Sequence, residues 1–195
     1  MANFTMKNVK KNLYGIIQFL PSASMDRFRA YFFRIIGVKI GSDVRLSIGS
    51  IIDVWQAGIA GSVGNNVYIG PYSVISGGVT IGSNTAINSN VNISASPPSL
   101  IDIGENCLIA QNVVIRSDDH KFNDVNSLIR DQGRTGANVI IGQDCWIGAN
   151  AVVLKGVHLG AHSVVGAGAI VTKSFPAYSV VVGNPARLIK SRVPL

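Results

Sequence analysis

The feature that most constrains this chain is a six-residue beat. From Val63-Gly64 an aliphatic residue returns at Ile69, Ile75, Ile81, Ile87 and Ile93. A four-residue insertion containing Pro97-Pro98 interrupts the beat, which resumes at Ile103, Ile109 and Ile115. After a longer break, Ile141, Ile147, Val153, Leu159, Val165 and Val171 complete fifteen hexads in three blocks. Ile40-Gly41 and Leu46 are degenerate earlier copies. A fixed short period marks a stacked-repeat architecture. The strands of a β-sandwich would alternate with period two at irregular spacings instead.

The fifth position of each hexad is small or β-branched: Val67, Ser73, Val79, Thr85 and Val91, then Cys107 and Val113, then Cys145, Ala151, Val157, Ser163 and Ala169. A large aliphatic with a small residue four later suits a narrow triangular prism, one filling a face and the other the corner beside it. Glycine after the aliphatic permits a tight turn where a Cβ would clash. Three hexads close one coil, and coils stack through parallel strand hydrogen bonds about 4.8 Å apart, so six coils make a column roughly 29 Å tall. Cys107 and Cys145 fall at the small interior position, where a thiol behaves as a small hydrophobe and is inert as a nucleophile.

The 195 residues suit one domain. They contain no run of about 20 apolar residues that could span a membrane. The net charge of +7 is unevenly placed: eight Lys/Arg lie in residues 1–45, none in 46–115, and nine from Arg116 onward. Nucleic-acid binding needs basic residues along one continuous surface, so this layout points to local anion sites and no nucleic-acid partner. Lys7, Lys10 and Lys11 ahead of Leu13–Leu20 loosely have the order of a secretory leader, but Gly15 and Gln18 break the apolar run.

Three segments are expected. Residues 1–39 hold a helix over 26–36, with Phe28, Tyr31, Phe32, Ile35 and Ile36 on its apolar stripe and Arg27, Arg29 and Arg34 mostly off it. It would cap the open end of the column or lie on a membrane surface as a basic helix. Residues 40–182 form the column, with a loop protruding at 121–139. Residues 183–195 open with Gly183-Asn184-Pro185-Ala186 and continue as a short basic helix over Arg187–Arg192.

A regular column has no pocket, so chemistry is expected where the beat fails. The break at Lys121–Val139 is longer than most unstructured loops of compact domains. His120 stands at its mouth, on the outward sixth position of a hexad, beside Asp118 and Asp119. Imidazole is the natural general base at neutral pH. It could deprotonate a hydroxyl as that oxygen attacks a carbonyl, with either carboxylate or a backbone carbonyl holding its other nitrogen. Trp146 occupies the same sixth position in Cys145-Trp146-Ile147-Gly148.

The isoleucine-glycine hexads, Asp119-His120, Cys145-Trp146-Ile147-Gly148-Ala149, the run Gly166–Lys173 and the ending Gly183-Asn184-Pro185-Ala186-Arg187 together resemble the hexapeptide-repeat O-acetyltransferases. Within that family the chain looks most like the enzymes acetylating sugars of bacterial surface polysaccharides, with galactoside and maltose acetyltransferases as near relatives. The resemblance implies an all-β fold, a left-handed parallel β-helix assembled as a homotrimer, with acetyl-CoA in the cleft between neighbouring columns and no metal. It implies His120 as catalytic base, with Asn90, Trp146 and Asp119 facing the acceptor. It also implies that the backbone amides of Ala149 and Ala167 meet the pantetheine arm, and that Thr172, Lys173, Arg187 and Lys190 meet the nucleotide phosphates. The acceptor is expected to be a free, nucleotide-linked or lipid-linked sugar, and the location cytoplasmic, with peripheral membrane contact through the basic helix. Relatives often carry proline after the histidine, where this chain has Lys121; with Arg130, Asp131 and Arg134 in the loop, an anionic acceptor is admitted. Three rivals remain: an N-acetyltransferase acting on an amino sugar, a non-enzymatic trimeric scaffold, and a metal-dependent trimer using His158 and His162.

Overall fold

The computed structural model describes residues 17, 19, 24–35, 37–53 and 61–193. The hexads build a parallel β-solenoid of about six turns. Each coil contributes a short strand to each of three faces, here called A, B and C in the order the chain visits them. In the first coil these are Lys39–Ile40, Arg45–Leu46 and Ile51–Asp53. In the sixth they are His158–Leu159, Val164–Val165 and Ile170–Val171. The register is the sequence period made visible: Ile69 pairs with Ile87 on face B and Ile75 with Ile93 on face C.

Every first-position aliphatic from Val63 to Val171 is buried, as is every fifth-position residue from Val67 to Ala169. Cys107 and Cys145 stack in adjacent coils as free buried thiols, and the hydrogen bond with the Cys107 thiol, then burial, push the Cys145 thiol well above the usual range. The corner residues Asn66, Asn84, Asn90, Asn106, Asn112 and Asn150 hold φ between 52° and 61°. Asparagine tolerates this left-handed region better than most residues. Two pairs of these side chains bond to each other along the column, Asn66 to Asn84 at 3.0 Å and Asn112 to Asn150 at 3.1 Å.

The departures from the beat share one place. Residues 96–100, with Pro97-Pro98, and residues 117–138 both leave between face C and face A. The sequence read the second break as a loop at 121–139. Instead it is a hairpin whose stem pairs Asp118–His120 antiparallel with Arg134–Gly136, and Val139 already belongs to the next coil. Its tip carries a 3-10 turn at Ile129–Asp131. Asp124 organises that tip, accepting from Ser127 Oγ at 2.6 Å and from the Asn126 amide at 2.9 Å.

Two expectations at the ends are corrected. The helix Met25–Ile35 does cover the first coil, but of the described residues of the predicted stripe only Phe32 is buried. Phe28, Tyr31 and Ile35 point outward, whereas Asp26, Arg29, Ala30, Phe32 and Phe33 are buried; Ile36 lies outside the described residues, as do residues 1–16. The physical reason is the open strand edge, whose carbonyls need donors that aromatic rings cannot supply. Arg29 donates to the Leu46 carbonyl at 2.9 Å and pairs with Asp26 at 2.6 Å, while Arg34 donates to the carbonyls of Ile40 and Gly41. At the far end, the predicted tail helix is the strand Arg187–Ser191, antiparallel to Ser179–Val182. The last strand of face B presents an unpaired edge, and a returning strand satisfies it where a helix could not.

Candidate active site

His120 ends the first strand of the hairpin stem and is exposed at the corner between faces C and A. It leaves the column with the hairpin rather than projecting from a sixth position within a coil. Neither carboxylate holds its ring. Asp118 is 4% exposed and lies between two guanidiniums, bonded by Arg134 Nε and by Arg116 Nη2 at 3.4 Å. Burial pushes its carboxyl up. Hydrogen bonds from Arg134 and Ser96 and the charges of Arg134 and Arg116 outweigh this and hold it below the usual carboxylate range. Asp119 pairs with Lys155 of the next coil at 3.1 Å. The group that does meet the imidazole is Arg134, directly across the stem, with Nη1 3.5 Å from His120 Nε2. Sequence placed Arg134 in the loop but could not show this pairing, because it depends on strand register.

Trp146 lies elsewhere. It is 54% exposed on the outer side of face B, between Leu108 and Val164 in register. An open cleft of ≈ 250 Å³ runs beside it, lined by Tyr68, Ala86, Asn88, Leu108, Ala110 and Trp146. Ala149 and Ala167 stack at the corner between faces B and C, and neither amide donates a hydrogen bond among the described residues. The coils approach so closely there that a Cβ on Gly148 would lie 2.6 Å from the Ala167 nitrogen. Asn90 occupies the same corner lower down, exposed, with φ 56° and its amide bonded to the Pro71 carbonyl at 2.9 Å.

The return strand adds positive charge to this side. A bulge between Val180 and Val181 sets Arg187 opposite Val182 and Lys190 opposite Val180. Three residues apart, they would face opposite ways in a regular strand; the bulge turns both to the outer side of face B. Thr172 and Lys173 follow the last strand of face C and lie at the corner that carries His120, with Lys173 Nζ 5.7 Å above the Phe175 ring.

The predicted site residues therefore divide in two. Asn90, Trp146, Ala149, Ala167, Arg187 and Lys190 lie on face B or the B–C corner. His120, Asp119, Thr172 and Lys173 lie at the C–A corner. In a triangular column the C–A corner is opposite face B, so the chain does not bring the two groups together by itself. His158 and His162 are also separated. His158 is on the outer side of face A, and His162 is at the A–B corner, where it bonds Asp144 at 2.9 Å and stacks on Tyr178.

Two family profiles match the chain: "Bacterial transferase hexapeptide (six repeats)" over residues 61–95 and "Hexapeptide repeat of succinyl-transferase" over 138–173. The galactoside O-acetyltransferase of Escherichia coli is 35% identical over 130 residues, 66% of this chain and 63% of that protein. A probable acetyltransferase of Mycobacterium tuberculosis is 36% identical over 114 residues, 58% of this chain and 35% of that protein. The chain thus spans from about a third to just under two thirds of these relatives. The crystal structure of AntD, an N-acyltransferase from Bacillus cereus in complex with dTDP and 3-hydroxybutyryl-CoA, superposes with a TM-score of 0.73 at 26% identity, covering 83% of this chain and 87% of that one. Period and register agree with these matches: residues 61–95 and 138–173 carry hexapeptide-repeat transferase domains, and the chain is similar to galactoside O-acetyltransferases and other acetyltransferases.

Proposed function

We propose that the protein transfers an acetyl group from acetyl-CoA to a sugar hydroxyl, and that its site forms only between neighbouring columns of a homotrimer. The observation that carries this is the division just described: a base on one side of the prism, and an apolar cleft, free backbone amides and cations on the opposite side. Two copies side by side set the C–A corner of one against face B of the next. The hairpin tip supports the contact, since Phe122, Val125, Leu128 and Ile129 are exposed on a turn that Asp124 and Gln132 hold in shape.

In this reading His120 takes the proton of the acceptor hydroxyl as its oxygen attacks the thioester carbonyl. The tetrahedral intermediate collapses, the C–S bond breaks, and His120 returns the proton to the departing thiolate. Backbone N–H groups suit the pantetheine arm because they approach a ligand without a side chain between, and Arg187 with Lys190 suit the phosphates by charge. A sugar of a surface polysaccharide is the proposed acceptor. The exposed outer side of the basic N-terminal helix, with Phe28, Tyr31 and Ile35, supports peripheral membrane contact. Free Cys107 and Cys145 suit a reducing, cytoplasmic compartment. A second reading, N-acylation of a nucleotide-linked amino sugar, is favoured by the likeness to AntD.

Complementation between subunits tests the proposal. His120→Ala should lower turnover at least a hundredfold, in the range removal of a general base gives, with acetyl-CoA affinity nearly unchanged. Trp146→Ala should also be impaired. Mixed trimers refolded from the two variants should regain activity, because some interfaces then pair an intact His120 with an intact Trp146. Full activity of the His120 variant removes the base, and no recovery on mixing removes the shared site.

A further inference from the structure

The hairpin stem holds a guanidinium against the nitrogen a base must keep free. Arg134 Nη1 lies 3.5 Å from His120 Nε2, and a guanidinium only donates, so the nitrogen it faces carries its lone pair outward. The arginine is not loosely placed. Its Nε is bonded to Asp118, which is buried and also held by Arg116. The anchor holds the guanidinium beside His120, where the Arg134 side chain is 44% exposed.

The charges around this point do not cancel. Asp118 serves two arginines, so one positive charge is left over. Asp119 offers nothing to offset it, because Lys155 already pairs with it. Lys121 turns toward the hairpin tip, where it shares a cleft with Asp124 and Asp131. The guanidinium covers the lone pair that must take the hydroxyl proton. An acceptor that brings an anion of its own uncovers it, because the Nη hydrogen then turns from Nε2 to that anion. A planar guanidinium suits carboxylate or phosphate oxygens through two parallel bonds.

We propose that Arg134 is the specificity-determining residue of the acceptor site, selecting sugars that carry an anionic group, carboxylate or phosphate, near the reacting hydroxyl, and uncovering His120 when such an acceptor binds. The proposal rests on the acetyl-transfer reading for the identity of the reaction, but the anion preference can be measured without turnover. Calorimetry on the assembled wild-type protein saturated with coenzyme A would compare methyl glucoside, glucuronate and glucose 1-phosphate. At least one anionic sugar should bind tenfold or more tighter than the neutral one, and which of them does so separates carboxylate from phosphate. Arg134→Ala should bring that preference below about twofold, and Arg134→Lys, which keeps the charge but loses the fork, should retain part of it. Equal affinity for the three sugars, no binding of either anion, or a preference that survives in Arg134→Ala overturns the proposal. An anion preference without acetylation of the bound sugar leaves Arg134 in its role and removes the acetyl-transfer reading. Acetylation with no such preference does the reverse.

Discussion

Asp118→Asn isolates what holds the hairpin stem, because it keeps the shape of the side chain and removes only its charge. Bonds from a guanidinium to an ionised group contribute about 1.5–3 kcal/mol each against about 0.5–1.5 for neutral partners. Asparagine can still accept through one oxygen. The arginines it would leave are part-exposed, Arg116 at 35% and Arg134 at 44% of the side chain, and can turn to water. That keeps the loss below the 3–5 kcal/mol of a fully buried broken pair, on the order of 1–2 kcal/mol, or a factor of about 5–30 in the local opening equilibrium. The loss should be local, since repeat architectures open by parts. Hydrogen exchange reads it directly. The amides of Lys121 and Ala137, bonded to the carbonyls of Gly133 and Ser117, should exchange about 5–30-fold faster, while that of Gly70, deep in the column, is unchanged. The sign with pH is fixed. A carboxylate held low in the fold contributes fully above its unfolded pKa of about 3.9 and loses that contribution as pH falls through the lower folded value. The gap between wild type and variant should therefore be widest at neutral pH and narrow as pH falls below about 3.9 toward the lowered folded value. A gap that grows as pH falls, or equal acceleration in the column, refutes the charge as the anchor.

Glycine offers a paired test. Gly77 and Gly133 hold φ of +77° and +79°, but a Cβ on Gly77 would lie 1.8 Å from the Ala95 carbonyl oxygen, while one on Gly133 meets nothing within 4 Å. Gly133→Ala should cost about 1–2 kcal/mol, the left-handed penalty alone, whereas Gly77→Ala must displace backbone and should cost well beyond that in urea denaturation. Reversing charge at Arg187→Glu with Lys190→Glu should raise the KM for acetyl-CoA at least tenfold at low salt. The effect should shrink in 0.5 M salt, and no change in KM separates these residues from the phosphates.

Legibility differs between the column and its ends for a physical reason. Within the column, each hexad's inward and corner positions follow from local spacing, so Ile69, Cys107 and Val165 could be placed in the interior from the sequence. At the ends, the deciding partner is distant. Arg29 turns inward because the Leu46 carbonyl lies at an open edge, and Arg187–Ser191 extends because Ser179–Val182 needs a neighbour. Neither need is written in the segment's own periodicity, and in both cases the local helical pattern lost to unpaired backbone.

The site shows the same boundary. The sequence by itself determined the triangular coil, the two places along the chain where the beat breaks, and His120 as the residue at the mouth of the longer break, because a period of six shows where regularity stops; that both breaks leave at one corner only the fold shows. Only the tertiary structure decided that Asp118 and Asp119 serve arginines and a lysine instead of the imidazole, that Arg134 faces its Nε2, and that Trp146 lies across the prism from it. Those facts depend on strand register across the hairpin and on which of three faces a residue occupies, and long-range pairing sets both.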